Sequence, residues 1–260
     1  MNLHLDGKTV LITGSSKGIG LAIAQGFAEE GCRLRLVARS AQDLDRVAAS
    51  LRDLGAPDVR TVALDLSQPG AREQLPGLCD GVDILVNNAG SIPAGTVEEI
   101  DEEKWRAAWD LKVFGYINLS RACFTAMKAR GSGVIVNVIG TTAERLDSGY
   151  IAGSSGNAAL VAFTRALGST SDAAGVRVVG VSPGPVASDR LESMIKRRAR
   201  LRFGDESRWR EILANMPFGR PAEPREIASA VVFLASDRSS YTTGCVLTID
   251  GGLAARGTPG

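Results

Sequence analysis

Hydrophobic positions follow two patterns that alternate along the chain. Seven short runs rich in β-branched and other apolar residues predict β-strands. Between them lie longer segments in which apolar residues recur at the three- and four-residue spacing of a helix. The predicted strands are residues 8–13, 33–38, 59–64, 82–87, 133–138, 176–181 and 245–250, and the predicted helices lie within 19–31, 41–55, 102–131, 157–168 and 224–236.

This alternation predicts an α/β fold. Strands that alternate with helices, several of them apolar throughout, are typical of a parallel sheet covered by helices on both faces. No internal repeat, low-complexity tract or linker divides the 260 residues. We therefore expect a single doubly wound domain over residues 1–260.

Composition narrows the possible functions. The hydrophobic fraction of 44%, the charged fraction of 23% and the net charge of +1 are those of an ordinary globular protein, and argue against a nucleic-acid or membrane surface. No apolar run reaches membrane-spanning length, and the first ten residues lack the apolar core of a signal peptide, so we expect a cytoplasmic protein. The single histidine, His4, lies at the very start of the chain, which argues against a histidine-based triad and a multi-histidine metal site, and we expect no metal.

The four cysteines are scattered and form no CxxC pair. They are Cys32, Cys79, Cys123 and Cys245. In a cytosolic protein this distribution predicts reduced cysteines in the core rather than a disulfide framework.

A glycine-rich loop, TGSSKGIG, joins the first predicted strand to the first predicted helix. Gly14 permits a tight turn, Gly18 lets the backbone approach a phosphate, and Gly20 allows the helix to pack closely. The helix N-terminus then offers unpaired N–H groups and a partial positive charge to a pyrophosphate. The loop therefore predicts a dinucleotide site, with a simple tight turn as the alternative.

Three further motifs follow in order: NNAG at 87–90, SPGPVAS at 182–188 and TGCVLTIDGG at 243–252. Together with the glycine loop they resemble the short-chain dehydrogenase/reductase family over essentially the whole chain. The resemblance implies a Rossmann-like domain that binds NAD or NADP at the carboxyl ends of its strands. It also implies a homodimer or homotetramer built on the long helix after Asp101 and on the helix within 149–168. The cofactor-binding residues indicated in this way are Gly14, Ser16, Lys17, Gly18, Ile19, Gly20, Asp65, Leu66, Asn88, Ala89, Gly90, Asn157, Pro183, Gly184, Val186 and Ser188.

The end of the second predicted strand favours NADP over NAD. NAD-specific folds of this type usually place a carboxylate there, but this chain reads VARS, without an acid. Arg39 can instead hold a 2′-phosphate by charge-assisted hydrogen bonds, and Lys17 adds a second cation. The alternative is that Arg39 is a solvated surface residue.

The catalytic positions depart from the family. Its members usually carry a serine after the fifth strand, a tyrosine thirteen residues later, a lysine four residues beyond, and an asparagine in the preceding long helix. In this chain those places are taken by Gly140, Gly153, Asn157 and Lys112, with the spacing intact. In the family, the tyrosine protonates the substrate oxygen. Its unperturbed pKa is about 10, and the lysine lowers that pKa so that the tyrosine can exchange its proton near neutral pH.

Three interpretations remain open. In the first, the protein is an NADP(H)-dependent oxidoreductase with a rebuilt proton relay. Tyr150 lies about one helical turn before Gly153, so its phenol could enter the space left there. Lys112 could supply the ammonium that favours a phenolate, and Thr141, or its neighbour Thr142, could supply the lost hydroxyl. The alternatives are a packing or interface role for Tyr150 and, for Lys112, a structural hydrogen bond to carbonyls or to Asn157.

In the second interpretation, the protein binds NADP(H) without turnover, as a sensor or scaffold. Losing four catalytic positions while keeping the phosphate and ribose motifs is typical of such a protein. In the third, it is a non-redox enzyme like the halohydrin dehalogenases, which is disfavoured because the glycine loop is intact. Fold alone does not decide between them.

Residues 189–223 correspond to the variable substrate segment of the family. They contain a basic run, which predicts either a solvated helix face or a lid that recognises an anionic small-molecule substrate. Three apolar residues further along could form the wall of the substrate pocket. The basic residues are Lys196, Arg197, Arg198, Arg200 and Arg202, and the apolar ones are Trp209, Met216 and Phe218.

Overall fold

The computed structural model describes residues 1–256, apart from the side chain of Arg190; the last four residues of the predicted domain lie outside it. Seven parallel strands form one sheet in the order β3-β2-β1-β4-β5-β6-β7. All seven predicted strands are confirmed, and the sixth continues two residues beyond its predicted end. The strands are β1 (Thr9–Thr13), β2 (Arg33–Ala38), β3 (Val59–Ala63), β4 (Ile84–Asn87), β5 (Gly133–Val138), β6 (Val176–Pro183) and β7 (Val246–Ile249).

Nine α-helices connect and cover these strands within the described residues. The five predicted helical segments are confirmed, α7 contains the basic run for which a helix face is one interpretation, and α3 and α8 are additional. The helices are α1 (Gly18–Glu29), α2 (Ala41–Asp53), α3 (Ala71–Cys79), α4 (Glu102–Trp109), α5 (Gly115–Arg130), α6 (Ile151–Gly168), α7 (Asp189–Phe203), α8 (Trp209–Ala214) and α9 (Pro224–Ala235). The apolar spacing does not predict α3, because Pro76 and Gly77 lie inside it and normally interrupt helices.

The core lies in two layers, one on each face of the sheet. Val10 and Ile12 of β1 face a cluster formed with α1, α2 and α9, whereas Leu11 faces a cluster formed with α3 and α5. All three side chains are fully buried. This alternation follows from the two-residue period of a strand, and explains why β1 is apolar at consecutive positions. The reversal of strand order beside β1 leaves a crevice at the carboxyl edge, where ligands bind in open α/β sheets.

The long helix predicted over 102–131 is interrupted. A π-helical turn, Asp110–Phe114, separates α4 from α5, and Lys112 lies at its centre. Val113 in the same turn is buried, and a Cβ built on Gly156 of α6 would lie 3.2 Å from its Cγ2. Single π-helical turns inside helices often occur at functional sites because they redirect side chains.

The prediction of four reduced cysteines is wrong for one pair. Cys79 at the end of α3 and Cys123 of α5 form a disulfide, with their Cα atoms 4.8 Å apart. The pair is separated by 44 residues in the chain, so only the packing of α3 on α5 brings it together. Cys32 and Cys245 are free thiols, and burial raises the pKa of Cys32 to about 12, which makes it unreactive near neutral pH.

Candidate active site

A cavity of about 1420 Å³ lies at the carboxyl edge of the sheet, and we call it the carboxyl-edge cavity. It extends from the glycine loop after β1 to α7, and is bordered by the segments that follow β2, β4, β5 and β6. Of the predicted cofactor and catalytic residues, all line it except Gly20 and Asp65. The structure therefore brings together residues that are spread over most of the chain.

The glycine loop is built around close backbone contacts. Gly14 and Gly18 have φ values of 65° and 58°, a region that glycine adopts without strain. A Cβ built on Gly20 would lie 2.2 Å from the carbonyl oxygen of Gly14, whereas one built on Gly18 would meet nothing within 4 Å. Gly20 thus serves packing beneath the loop, and Gly18 leaves open space at the first turn of α1. Unpaired N–H groups beside open space fit the pyrophosphate of a dinucleotide.

The NNAG motif is fastened to this loop by hydrogen bonds. The Oγ1 atom of Thr13 accepts hydrogen bonds from the backbone N–H groups of Asn88 (2.9 Å) and Ala89 (3.0 Å). The side-chain amide of Asn88 donates to the carbonyl oxygens of Thr13 (3.0 Å) and Gly14 (3.2 Å). These hydrogen bonds hold the ends of β1 and β4 together. They fix the shape of the end of the cavity at the glycine loop, which we call the phosphate end.

Arg39 and Lys17 are exposed side chains that line the phosphate end of the cavity. Asp65 lies near Arg39 but does not line the cavity. A hydrogen bond from the Ser67 hydroxyl (2.7 Å) lowers the pKa of Asp65, with a smaller contribution from the positive charge of Arg39. This side of the cavity is therefore lined by the cations Lys17 and Arg39 and by Asp43, and Asp65 lies just outside the lining.

The ring of Tyr150 occupies the space left by Gly153, which confirms the geometric prediction. A Cβ built on Gly153 would lie 1.9 Å from Cε1 of Tyr150 and 2.2 Å from its Cζ. Tyr150 is the N-cap of α6, and hydrogen bonds of the flanking residues to Gly95 hold the backbone around it: Gly95 donates to Gly149 (2.7 Å), and Ile151 donates to Gly95 (3.3 Å). Any side chain at 153 would displace this ring.

Asn157 and Gly140 are fitted to each other in the same way. Asn157 is 2% exposed, and its Nδ2 donates to Oγ1 of Thr142 over 2.8 Å. A Cβ built on Gly140, where φ is 150°, would lie 2.8 Å from that Nδ2. Thus the carboxamide fits only because residue 140 is glycine. The Oδ1 atom of Asn157 is buried and has no hydrogen-bond partner among the described residues.

Lys112 is directed towards the strand β5 side of the cavity. Its Nζ donates to the carbonyl oxygen of Ile139 over 2.6 Å, and a Cβ built on Gly90 would lie 2.9 Å from its Cδ. A structural hydrogen bond to carbonyls or to Asn157 is the alternative role that the sequence leaves open for Lys112, and the carbonyl of Ile139, just after β5, is the acceptor here. The ammonium therefore lies at the cavity wall, one residue before Gly140.

A second tyrosine near the site has a structural role. Tyr116 is 1% exposed, does not line the cavity, and donates from its hydroxyl to the carbonyl oxygen of Val138 (2.9 Å). Burial raises the pKa of Tyr116 far above its usual range, with a smaller contribution from the nearby Tyr150 phenol. Tyr116 therefore does not provide an exchangeable proton near neutral pH, and Tyr150 is the tyrosine that lines the described part of the cavity.

Helix α7 covers the end of the cavity beyond Tyr150. Of the basic run, Arg198 lines the cavity and pairs with Asp147 at 2.7 Å, whereas Arg197 pairs with Glu99 at 3.6 Å. The loop residues Arg145 and Asp147 were not among the predicted site residues, because the segment between Thr142 and Tyr150 carries no recognisable motif.

The predicted apolar wall is only partly correct. Met216 lines the cavity, but Trp209 and Phe218 are absent from its described lining. Phe218 is 88% exposed, and the Trp209 ring lies against the cationic side chains of Lys196 and Arg210. The apolar side chains that take their place come from α7 and from the C-terminal segment, and they are Leu191, Met194, Ile195 and Leu253.

Two kinds of feature are absent from residues 1–256. None of the helices in that range is both long and apolar enough to cross a membrane. Within the same range, three or more His, Cys, Asp or Glu side chains never come together in an arrangement that could hold a metal ion.

Comparisons with known proteins agree with this geometry. A family model described as enoyl-(acyl carrier protein) reductase matches residues 14–254. The chain is 38% identical over 257 residues to galactitol 2-dehydrogenase (L-tagatose-forming) of Cereibacter sphaeroides, covering 96% of each chain. It is 34% identical over 258 residues to a 3-oxoacyl-[acyl-carrier-protein] reductase of Vibrio cholerae, covering 96% of this chain and 99% of the relative. L-Sorbose reductase of Gluconobacter frateurii, solved with NADPH and L-sorbose, superposes with a TM-score of 0.90 at 33% identity, over 98% of this chain and 100% of that one.

Proposed function

The chain belongs to the short-chain dehydrogenase/reductase family, and from that premise we propose that it is an NADP(H)-dependent oxidoreductase with a rebuilt catalytic centre. The reaction is the interconversion of a carbonyl group and an alcohol on a small molecule. The relatives named above are oxidoreductases of this kind by name. The centre differs from the family pattern at four positions, so the proposal depends on what replaces them.

The observation that carries the proposal is the mutual fit of the exchanged residues. Gly153 makes room for the ring of Tyr150, and Gly140 makes room for the carboxamide of Asn157. Each glycine is therefore matched to the larger side chain that now lies beside it. Two such fits at an open cavity support a rebuilt site.

The residues present fit NADP(H). The first turn of α1 would hold the pyrophosphate, with open space at Gly18. Arg39, helped by Lys17, would hold the 2′-phosphate, and Asp65 would flank the adenine. The unpartnered Oδ1 of Asn157 would accept a hydrogen bond from a ribose hydroxyl. The remaining cofactor-binding residues are proposed from the family pattern and line the same cavity: Gly14, Ser16, Ile19, Leu66, Asn88, Ala89, Gly90, Pro183, Gly184, Val186 and Ser188.

When bound, NADPH would supply a hydride to the carbonyl carbon. We assign the proton to the hydroxyl of Tyr150, which lines the cavity. The Lys112 ammonium at the cavity wall would stabilise the phenolate that remains. A threonine hydroxyl, from Thr141 or Thr142, would replace that of the family's serine.

The first experiment is a titration with NADPH followed by a screen of carbonyl compounds, monitored at the nicotinamide absorbance. Binding with turnover supports the oxidoreductase. Binding without turnover of aldehydes, simple ketones, keto acids and ketoses would instead support the second candidate, a non-catalytic NADP(H) sensor or scaffold. The observation behind this candidate is the exchange of all four catalytic positions.

The second experiment tests the relay. Tyr150→Phe and Lys112→Met should each lower kcat by about 10²-fold, the usual scale for acid–base help, with NADPH affinity nearly unchanged for Tyr150→Phe. The double variant should be little worse than either single variant, because groups that share one step are not additive. Tyr116→Phe is the matched control, and should cost stability rather than proton transfer. Full activity in Tyr150→Phe would remove this tyrosine from the mechanism.

Three further features stay proposals. Residues 189–223 form the substrate lid, with Arg198 and Arg145 at the cavity as candidate partners for an anionic substrate.

The protein is a homodimer or homotetramer. Ala158, Ala159 and Ala162 of α6 keep partly or fully exposed positions that a second subunit could contact, whereas Gly156 packs against Trp109 within the chain. It acts in the cytoplasm.

A further inference from the structure

We propose that Thr142, oriented by Asn157, is the hydroxyl that donates a hydrogen bond to the substrate carbonyl oxygen. The inference rests on the proposed reductase function and identifies a residue that neither the family pattern nor the relatives assign. It starts from the hydrogen bond in which Nδ2 of Asn157 donates to Oγ1 of Thr142 over 2.8 Å. Thr142 lines the carboxyl-edge cavity, and Asn157 is 2% exposed.

The direction of this hydrogen bond determines where the Thr142 hydrogen can go. A threonine hydroxyl has one hydrogen and two lone pairs, and an amide N–H occupies one lone pair here. The hydroxyl hydrogen must therefore point to another acceptor. No described residue accepts it, so the free direction is the cavity. A hydroxyl held in this way is a pre-organised donor for a carbonyl oxygen.

Gly140 explains why the donor lies at 142 and not at the family's serine position. A Cβ at 140 would lie 2.8 Å from Nδ2 of Asn157 and 3.4 Å from its Cγ. A serine there would push the carboxamide away from Thr142. The glycine at 140 and the asparagine at 157 therefore form one exchange, which moves the hydroxyl two residues along the chain.

Thr141 is the neighbouring alternative and provides a matched control. Both threonines belong to the 3-10 turn Thr141–Ala143 and both line the cavity. The structure gives Thr142 a fixed partner, but gives the Thr141 hydroxyl no hydrogen bond among the described residues. A hydroxyl that rotates freely loses entropy when it binds substrate, so the held hydroxyl is the stronger donor.

In the reaction the Thr142 hydroxyl keeps its own proton. Bound NADPH would supply the hydride for the carbonyl carbon and leave as NADP⁺, and Tyr150 would supply the proton for the carbonyl oxygen, so that the product is an alcohol. Thr142 donates a hydrogen bond to that oxygen while negative charge develops on it. Asn157 does not touch the reacting oxygen in this scheme, and is a positioning residue for Thr142.

The first test compares Thr142→Val, Thr142→Ser and Thr141→Val in the full chain. Valine removes the hydroxyl and keeps the shape, so Thr142→Val should lower kcat by about 10²-fold, the cost of losing one such donor. Thr142→Ser should stay within about threefold of the parent, and Thr141→Val should lower kcat much less than Thr142→Val does. The Kd for NADPH, measured by fluorescence, should stay within about twofold in all three, since the hydroxyl acts on substrate.

The positioning role of Asn157 is tested by Asn157→Asp. An ionised carboxylate only accepts hydrogen bonds, so it would turn the Thr142 hydroxyl towards itself. We expect kcat to fall about as far as in Thr142→Val, and to recover as the pH falls and the carboxyl gains a proton that it can donate. In a Thr142→Val background the same change should have little further effect on kcat.

A spectroscopic readout does not depend on turnover. A ¹³C-labelled ketone from the carbonyl screen, bound with NADP⁺ in a dead-end complex, should show a carbonyl infrared band shifted to lower frequency by hydrogen bonding. Thr142→Val should reduce the shift more than Thr141→Val does. Turnover by the parent with an unaffected Thr142→Val variant would overturn this inference alone, whereas no turnover by the parent would overturn the proposed function and the inference with it.

Discussion

At the phosphate end of the cavity the close contacts of the glycines are made with backbone atoms. At the end around Tyr150 and Asn157, the candidate catalytic end, they are made with side chains. Gly20 approaches the carbonyl oxygen of Gly14, an atom that cannot move without shifting the loop. Gly153 and Gly140 instead approach the side chains of Tyr150 and Asn157. A backbone-built site therefore tolerates little change, but a side-chain-built site can exchange residues in matched pairs. This difference explains how one end keeps the family pattern while the other departs from it.

The largest effect should come from Gly20→Ala at the backbone-built end. The added Cβ would lie 2.2 Å from the carbonyl oxygen of Gly14 and 2.5 Å from Nδ2 of Asn88. Overpacking of this kind costs about 1–3 kcal/mol, and moving the loop would remove N–H contacts to phosphate worth about 1.5–3 kcal/mol each. We expect a lower melting temperature and a rise of at least about 10²-fold in the Kd for NADPH.

Gly77→Ala in α3 is the matched control, since a Cβ there meets nothing within 4 Å. It should leave NADPH binding unchanged and stabilise the helix by up to about 1 kcal/mol. Normal binding in Gly20→Ala would mean that the phosphate end is as adaptable as the catalytic end, and the comparison would fail.

Gly153→Ala tests the side-chain-built end. Its Cβ would lie 1.9 Å from Cε1 of Tyr150, so the ring must leave its place. We expect kcat to fall about 10²-fold, the scale for losing a proton donor, with the Kd for NADPH within about twofold of the parent.

The control for this variant is a change of background. In Tyr150→Ala the obstructing ring is gone, so the same Gly153→Ala change should raise stability by about 0.8–1 kcal/mol through helix propensity. A destabilising effect of equal size in both backgrounds would show that Tyr150 and Gly153 are not a matched pair.

The sequence predicts well what depends on short-range patterns. All seven strands follow from apolar runs of β-branched residues, and the approach of Tyr150 to Gly153 follows from a three-residue spacing near the start of a helix. The gathering of the motifs in one cavity follows from the parallel sheet, because motifs that end neighbouring strands meet at one edge.

The features that the sequence does not predict depend on tertiary contacts. The disulfide needs the packing of α3 on α5. The π-helical turn at Lys112 interrupts a segment with an uninterrupted helical pattern. The sequence also leaves open which acceptor the Lys112 ammonium contacts, and the fold selects the carbonyl of Ile139. The pairing of Arg198 with Asp147 joins residues 51 positions apart, without a motif at either one.

A smaller effect is expected from Arg39→Asp at the outer part of the phosphate end. One charged contact to a 2′-phosphate is worth about 1.5–3 kcal/mol, so NADPH should bind the parent at least about tenfold more tightly than NADH. Aspartate would repel the phosphate and accept ribose hydroxyls, which should reverse the preference. Arg60→Gln, on β3 and absent from the described cavity lining, should leave both Kd values unchanged. Equal affinities in the parent would contradict the assignment of NADP(H).

The smallest effect is expected at α7, where Arg198 pairs with Asp147 at 2.7 Å and both residues line the cavity. The two side chains are 59% and 32% exposed, and pairs this exposed contribute at most about 1 kcal/mol. Neutralising Arg197, Arg198 and Arg200 together should raise the KM of an anionic substrate up to about fivefold, with the Kd for NADPH within about twofold.

Single variants separate the two ways in which Arg198 can act. Because it lines the cavity and Arg200 does not, Arg198→Met should reproduce most of the triple effect, and Arg200→Met should reproduce little. A rise in KM confined to anionic substrates would assign Arg198 to recognition. An equal rise for neutral and anionic substrates, matched by Asp147→Asn, would assign the ion pair to holding α7 over the cavity. No change in any KM would identify the basic run as a solvated helix face. Substrate binding would then depend on the apolar side chains of the cavity lining.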